Sequence, residues 1–108
     1  MRKFSDLFEA PQTIVFAFGR FNPPTIGHEK LINKVASVAG KVPYRIYPSF
    51  TTNPKKDPLP HALKVAYMRK MFPKHRKNII ADKNAKTAIM IAEMLYKEGF
   101  KNLVMVAG

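Results

Sequence analysis

Gly19-Arg20-Phe21-Asn22-Pro23-Pro24-Thr25-Ile26-Gly27-His28 gathers in one short stretch the residue types suited to holding an anion. Gly19 lets the chain leave a strand in a conformation that other residues resist, Pro23 and Pro24 stiffen the bend, and Gly27 lets a phosphate approach the backbone. A helix that begins near Gly27 or His28 offers unpaired N–H groups and the positive end of its dipole to the same phosphate. His28, in the first turn, adds a hydrogen-bond donor, and Arg20 adds a cation inside the bend. Binding of a phosphate is the chemistry this combination serves.

Other candidates are weaker. Lys64 and Arg69 stand on a later predicted helix, where lone basic residues commonly face solvent but can add charge to a pocket. His61 and His75 have no Asp, Glu or His partner at ligand spacing and lie beside Pro or basic residues, so both are expected at the surface. No protein metal site is implied. The methionines and the aromatics Phe16, Phe18, Tyr67 and Phe72 fall on predicted apolar faces, where packing explains them better than a base-stacking platform.

The elements that must position the bend follow from periodicity. Residues 13–18 (TIVFAF) form a continuous apolar, β-branched and aromatic run, the pattern of a strand buried on both faces of a parallel sheet. After the bend, Leu31, Ile32, Val35, Val38 and Ala39 recur at helical spacing up to Gly40. Residues 44–49 (YRIYPS) read as a second strand, followed by a Pro- and Lys-rich loop over 50–60. Leu63, Ala66, Tyr67, Met71 and Phe72 suggest a second helix stopped by Pro73, and residues 78–81 a short third strand. Ala88, Ile89, Ala92, Leu95 and Tyr96 mark a third helix ending at Gly99, and residues 103–106 (LVMV) a last strand.

Strands alternating with helices predict an α/β, Rossmann-like, three-layer αβα fold with a parallel sheet of about four strands in the order 3-2-1-4. The site then lies above the carboxyl ends of strands one and four, where Gly19 meets residues 107–108. The fourth strand is an apolar edge, which predicts pairing with another copy of the chain or with a continuation of it. The organisation expected is a leader over residues 1–11 and one domain over 12–108.

Composition narrows the partners. The 108 residues carry 19 Lys plus Arg against 7 Asp plus Glu, a formal charge of +12. Residues 41–83 hold eleven bases and only two acids, Asp57 and Asp82. Such a field attracts polyanions, whether nucleotides, pyrophosphate, nucleic acid or acidic membrane, without choosing among them, and a solvated surface that keeps a small protein soluble accounts for it equally. The absence of cysteine excludes a disulfide framework, a thiol nucleophile and a thiolate metal site. No apolar run approaches the roughly 18 residues that span a bilayer, and no signal-peptide pattern opens the chain, so a cytoplasmic location is expected.

The bend resembles the GxFxPxxxGH signature of the HxGH nucleotidyltransferase superfamily, the cytidylyltransferase-like and adenylyltransferase enzymes, with Thr25-Ile26-Gly27-His28 as its T/HxGH element. The nicotinamide-nucleotide and phosphopantetheine adenylyltransferase branches are the most similar. The resemblance implies adenylyl or cytidylyl transfer, in which a phosphorylated acceptor attacks the α-phosphate of ATP or CTP in line and pyrophosphate leaves, with Mg²⁺ carried by the nucleotide. It implies Thr25, His28 and Lys56 as catalytic residues and Phe18, Gly19, Arg20, Phe21, Gly27, His28 and Gly108 as nucleotide-binding residues. The loop Asn53-Pro54-Lys55-Lys56-Asp57-Pro58-Leu59 is similar to the one that supplies a lysine to the acceptor phosphate, which assigns Lys56 or Lys55 to the acceptor, with Lys64 of the next helix adding to that pocket.

The later ISSTxxR-type segment of the superfamily has no counterpart before Gly108. The resemblance therefore leaves open a truncated product, a fragment completed by another chain, and a relative that binds nucleotide or nucleic acid through residues 41–83 without efficient turnover. Residues 1–10 place Phe4, Leu7 and Phe8 on one face of a short helix. This leader either caps the domain or, being similar to capsid-targeting leaders of tailed bacteriophages, is cut after Leu7-Phe8-Glu9; a phage origin would place the protein in the host cytoplasm or the virion.

Overall fold

Four apolar residues in succession, Ile14, Val15, Phe16 and Ala17, are each no more than 3% exposed. They belong to the central strand of the sheet, where neither face meets water. In the computed structural model, which describes residues 12–21, 24–50 and 60–107, this strand is β1 (Thr13–Gly19). It is followed by α1 (His28–Ala39), β2 (Tyr44–Pro48), α2 (His61–Met71), a 3-10 helix (Pro73–Asn78), α3 (Ala88–Lys97) and β3 (Asn102–Met105). Both neighbours of β1 run parallel to it: β2 pairs from Val15 with Tyr44 to Gly19 with Pro48, and β3 from Thr13 with Asn102 to Phe16 with Met105.

The strand alternation sends side chains into two cores. On one face Val15, Ala17 and Ile46 pack with Ile32, Val35 and Ala39 of α1 and Val65 and Met68 of α2. On the other, Ile14, Phe16 and Tyr47 pack with Ile91 and Leu95 of α3. The result is the expected Rossmann-like α/β layering of helices on both sides of a parallel sheet. Gly40 and Gly99, with φ of +59° and +111°, end α1 and α3 in backbone conformations that other residues rarely adopt.

Among the described residues the sheet has three strands in the order β2-β1-β3, which corrects the expectation of four in the order 3-2-1-4. The segment expected as a third strand, residues 78–81, makes only an isolated parallel bridge, Ile79 with Ile46. The Ile80 N–H donates to the Ile46 carbonyl at 2.9 Å, but the Ile79 N–H turns back to the His75 carbonyl at 3.2 Å, and side chains take up the groups around it. The Arg69 guanidinium takes the Ile79 carbonyl at 2.8 Å, the Asn78 amide bonds the Tyr44 carbonyl at 2.9 Å, and Asp82 folds the chain over onto Asn84 at 2.8 Å. β3 starts and stops one residue earlier than expected.

Two helices bury a different face from the one the apolar residues suggest. On α2 the inward residues are Lys64, Val65 and Met68, while Leu63 and Tyr67 stay 41% and 45% exposed. On α3 they are Ile91 and Leu95, while Ile89 and Tyr96 are exposed.

Two polar features fasten the layers. His75, expected at the surface, is 7% exposed. Its Nε2 meets Asn33 Oδ1 at 2.8 Å and its Nδ1 meets the Tyr44 hydroxyl at 2.8 Å. Because Oδ1 only accepts, Nε2 carries the proton and Tyr44 O–H donates to Nδ1. On the opposite face Arg45 forms a forked pair with Glu98 at 2.9 and 3.1 Å, donates to Tyr47 Oη at 3.1 Å, and lies over the Phe100 ring. The hydrogen bond that Arg45 donates to Glu98 raises the Arg45 pKa, and the fork ties β2 to the end of α3.

Candidate functional site

The carboxyl ends of β1 and β2 are stitched together where the bend leaves the sheet. The Ser49 N–H donates to the Gly19 carbonyl at 2.8 Å. The backbone then turns through Phe21, whose φ of +48° lies in the left-handed region. The strained position is therefore Phe21 rather than Gly19, which ends β1 in the ladder. What requires glycine at 19 is the Phe21 ring, 3.2 Å from where a Cβ would stand. Phe21 itself is 4% exposed and meets the His28 ring edge-on, with centroids 4.9 Å apart. The buried ring thus supports the imidazole of His28.

His28 opens α1. The Thr25 N–H donates to His28 Nδ1 at 2.9 Å, with Thr25 Oγ1 at 3.3 Å from the same nitrogen. With Nδ1 engaged as acceptor, the neutral ring carries its proton on Nε2, leaving that donor for a ligand. The His28 and Glu29 N–H groups, expected to be open to an anion, are taken by the Thr25 and Ile26 carbonyls at 3.0 and 2.9 Å. The N–H groups of Ile26 and Gly27 have no partner among the described residues, so the open donors lie two residues earlier.

A cleft of about 340 Å³ sits on this corner, lined by Gly27, His28, Lys30, Leu31, Lys34 and Ala107. A Cβ on Gly27 would meet only Thr25 Oγ1, at 3.6 Å, so the space over Gly27 is open. Gly27 and His28 thus face Ala107, which follows β3, across one cavity. Lys30 and Lys34 were missed as candidates; they stand three and seven positions beyond Gly27, the spacing of one helix face.

The other expected residues divide. Phe18 is half-buried against the opposite core, with Ile14 and Phe16, away from the cleft. Arg20 is exposed beside the bend. Lys55, Lys56 and Gly108, and the leader with Leu7-Phe8-Glu9, lie outside the described residues. Lys64 is 1% exposed, and its ammonium donates to the Ser49 carbonyl at 2.8 Å. In that inward position it braces the end of β2. His61, also expected at the surface, is half-buried, with Nδ1 3.2 Å from the same carbonyl and its ring edge-on to Phe50. Its Nε2 is buried without a partner, and burial is the main cause that lowers its pKa.

Among the described residues no group of His, Asp or Glu is arranged to hold a metal ion, and no helix is long and apolar enough to cross a membrane. No curated protein and no solved structure matches the chain. A family model described as cytidylyltransferase-like matches residues 16–108.

Proposed function

Since the chain belongs to the cytidylyltransferase-like family, we propose that it transfers an adenylyl or cytidylyl group from a nucleoside triphosphate to a phosphorylated acceptor. The observation that carries this reading is the His28 imidazole, its Nδ1 held by the Thr25 N–H and its ring lining a cleft with Lys30 and Lys34. A ring fixed in this way presents a donor without reorganising when charge develops on a phosphate oxygen.

In the proposed reaction an oxygen of the acceptor phosphate attacks the α-phosphorus, the bond from that phosphorus to the bridging oxygen of the β-phosphate breaks, and pyrophosphate leaves with the bond's electrons. No covalent enzyme intermediate is required. His28 Nε2–H and the Ile26 and Gly27 N–H groups receive the triphosphate, and Thr25 both orients His28 and turns its hydroxyl to the same anion. Lys30, Lys34 and Arg20 balance its charge. Magnesium arrives with the nucleotide, as part of the substrate. Lys55 and Lys56 hold the acceptor phosphate, the role that the resemblance assigns to their loop.

The test is release of pyrophosphate from MgATP or MgCTP in the presence of a panel of phosphorylated acceptors. His28→Ala should lower the rate on the order of 10²-fold or more, and Lys34→Gln should raise KM for the nucleotide about tenfold. Undiminished turnover in His28→Ala would remove the site. Nucleotide binding by calorimetry with no pyrophosphate from any acceptor would leave a binding site alone.

A further inference from the structure

Residues 61–78 contain no Asp or Glu and carry six Lys and Arg. Lys64 points inward, and the other five are exposed. Four of those, Arg69, Lys70, Arg76 and Lys77, line one open cleft of about 630 Å³ between α2 and the 3-10 helix, with Ala66 and Pro73 as its only apolar walls. It shares no residue with the cleft at His28. None of the four cations pairs with a carboxylate among the described residues. Like charges gathered in a concavity repel one another, and a polyanion laid into it relieves that repulsion while releasing its own counterions.

Two further features select the polyanion. The Arg69 guanidinium is already fixed by bonds of 2.8 and 3.3 Å to the Ile79 carbonyl, so its remaining N–H groups meet a phosphate with little further loss of freedom. Tyr67, 45% exposed, stands three residues before Lys70 on α2, the spacing of neighbours on a helix surface. Its ring is a platform for an unpaired base beside a cation for the adjoining phosphate. The small walls offer no apolar wedge to a lipid surface.

We propose that the cleft formed by Arg69, Lys70, Arg76 and Lys77 is a second site that binds the sugar–phosphate backbone of a single-stranded nucleic acid, with a base stacked on Tyr67. This site is separate from nucleotidyl transfer and does not depend on it.

Fluorescence anisotropy with a short labelled oligothymidine tests it. Four phosphate contacts on a single strand give a log–log salt slope of about −2.8, so affinity should fall about 50-fold between roughly 50 and 200 mM salt. Arg76→Gln combined with Lys77→Gln should halve the slope, leaving a fall of about 7-fold. A control with the same change of charge, Lys97→Gln with Lys101→Gln, should keep the original slope. Tyr67→Ala should lower affinity about tenfold at fixed salt without changing the slope.

Equal slopes in the two double variants, or no binding at the lower salt, would overturn the proposal. So would tighter binding of a duplex of the same length, or retention on phosphatidylserine vesicles that responds to Arg76→Gln/Lys77→Gln without any oligonucleotide binding. Pyrophosphate release should be the same in wild type and Arg76→Gln/Lys77→Gln, which separates failure here from failure of the transferase reading.

Discussion

At the scale of single residues, three histidines of one chemical type have been given different tasks by their surroundings. His28 has one nitrogen fixed and lines a cleft, whereas both nitrogens of His75 are consumed by Tyr44 and Asn33. Protonating His75 would set a second N–H against the Tyr44 hydroxyl, and burial already lowers its pKa below 6.5. The unfolded chain therefore binds more protons than the folded one once pH falls below about 6.5, and stability declines from there until the folded histidine also titrates. His61 adds a loss of the same sign. Urea midpoints measured from about pH 7.5 down to pH 5 should fall in this window. His75→Phe should flatten that decline and cost about 1–3 kcal/mol at neutral pH, because Tyr44 and Asn33 lose their partner. An unchanged slope in the variant would assign the decline to other groups. Nothing in the local sequence marks His75 as buried: its partners stand 31 and 42 positions away, beyond the reach of any spacing rule.

Elements show where periodicity informs and where it misleads. α3 begins at Thr87, whose hydroxyl accepts the Met90 N–H at 3.1 Å. Thr87→Ala should cost about 1 kcal/mol in chemical denaturation, whereas Thr87→Ser should be nearly neutral. β1, α1 and β2 were legible within a few residues, because an unbroken apolar run and a helix stopped by Gly40 each have one physical reading. The bend was legible as a strand-to-helix connection for the same reason: glycine and proline gather between an apolar run and a helical repeat. The third strand was not legible, since Ile79 and Ile80 look like a strand until Arg69 and Asn78 claim the backbone bonds around them. Nor was the inner face of α2, which turns on one aliphatic lysine stem buried to reach the Ser49 carbonyl, a packing that hydropathy scores as exposed.

For the whole molecule the dominant quantity is charge. A formal +12 on 108 residues works against the compact state through mutual repulsion, and salt weakens it as the Debye length shortens from about 30 Å at 0.01 M to about 8 Å at 0.15 M. The melting temperature should rise over that range in sodium chloride, where each kcal/mol gained reads as roughly 4–8 °C. A flat or falling Tm would mean that the cations are compensated within the fold. The forked grip of Arg45 on Glu98 has a mechanical side as well. It anchors the turn from which β3 departs, and β3 is only four residues long and hydrogen-bonded along one edge. β3 is thus a short lever, pinned at its base by a guanidinium and carrying at its tip Ala107, the jaw that faces His28. Cutting that pin would slacken the jaw from the far side of the sheet, loosening the cleft at His28 without altering a residue that lines it.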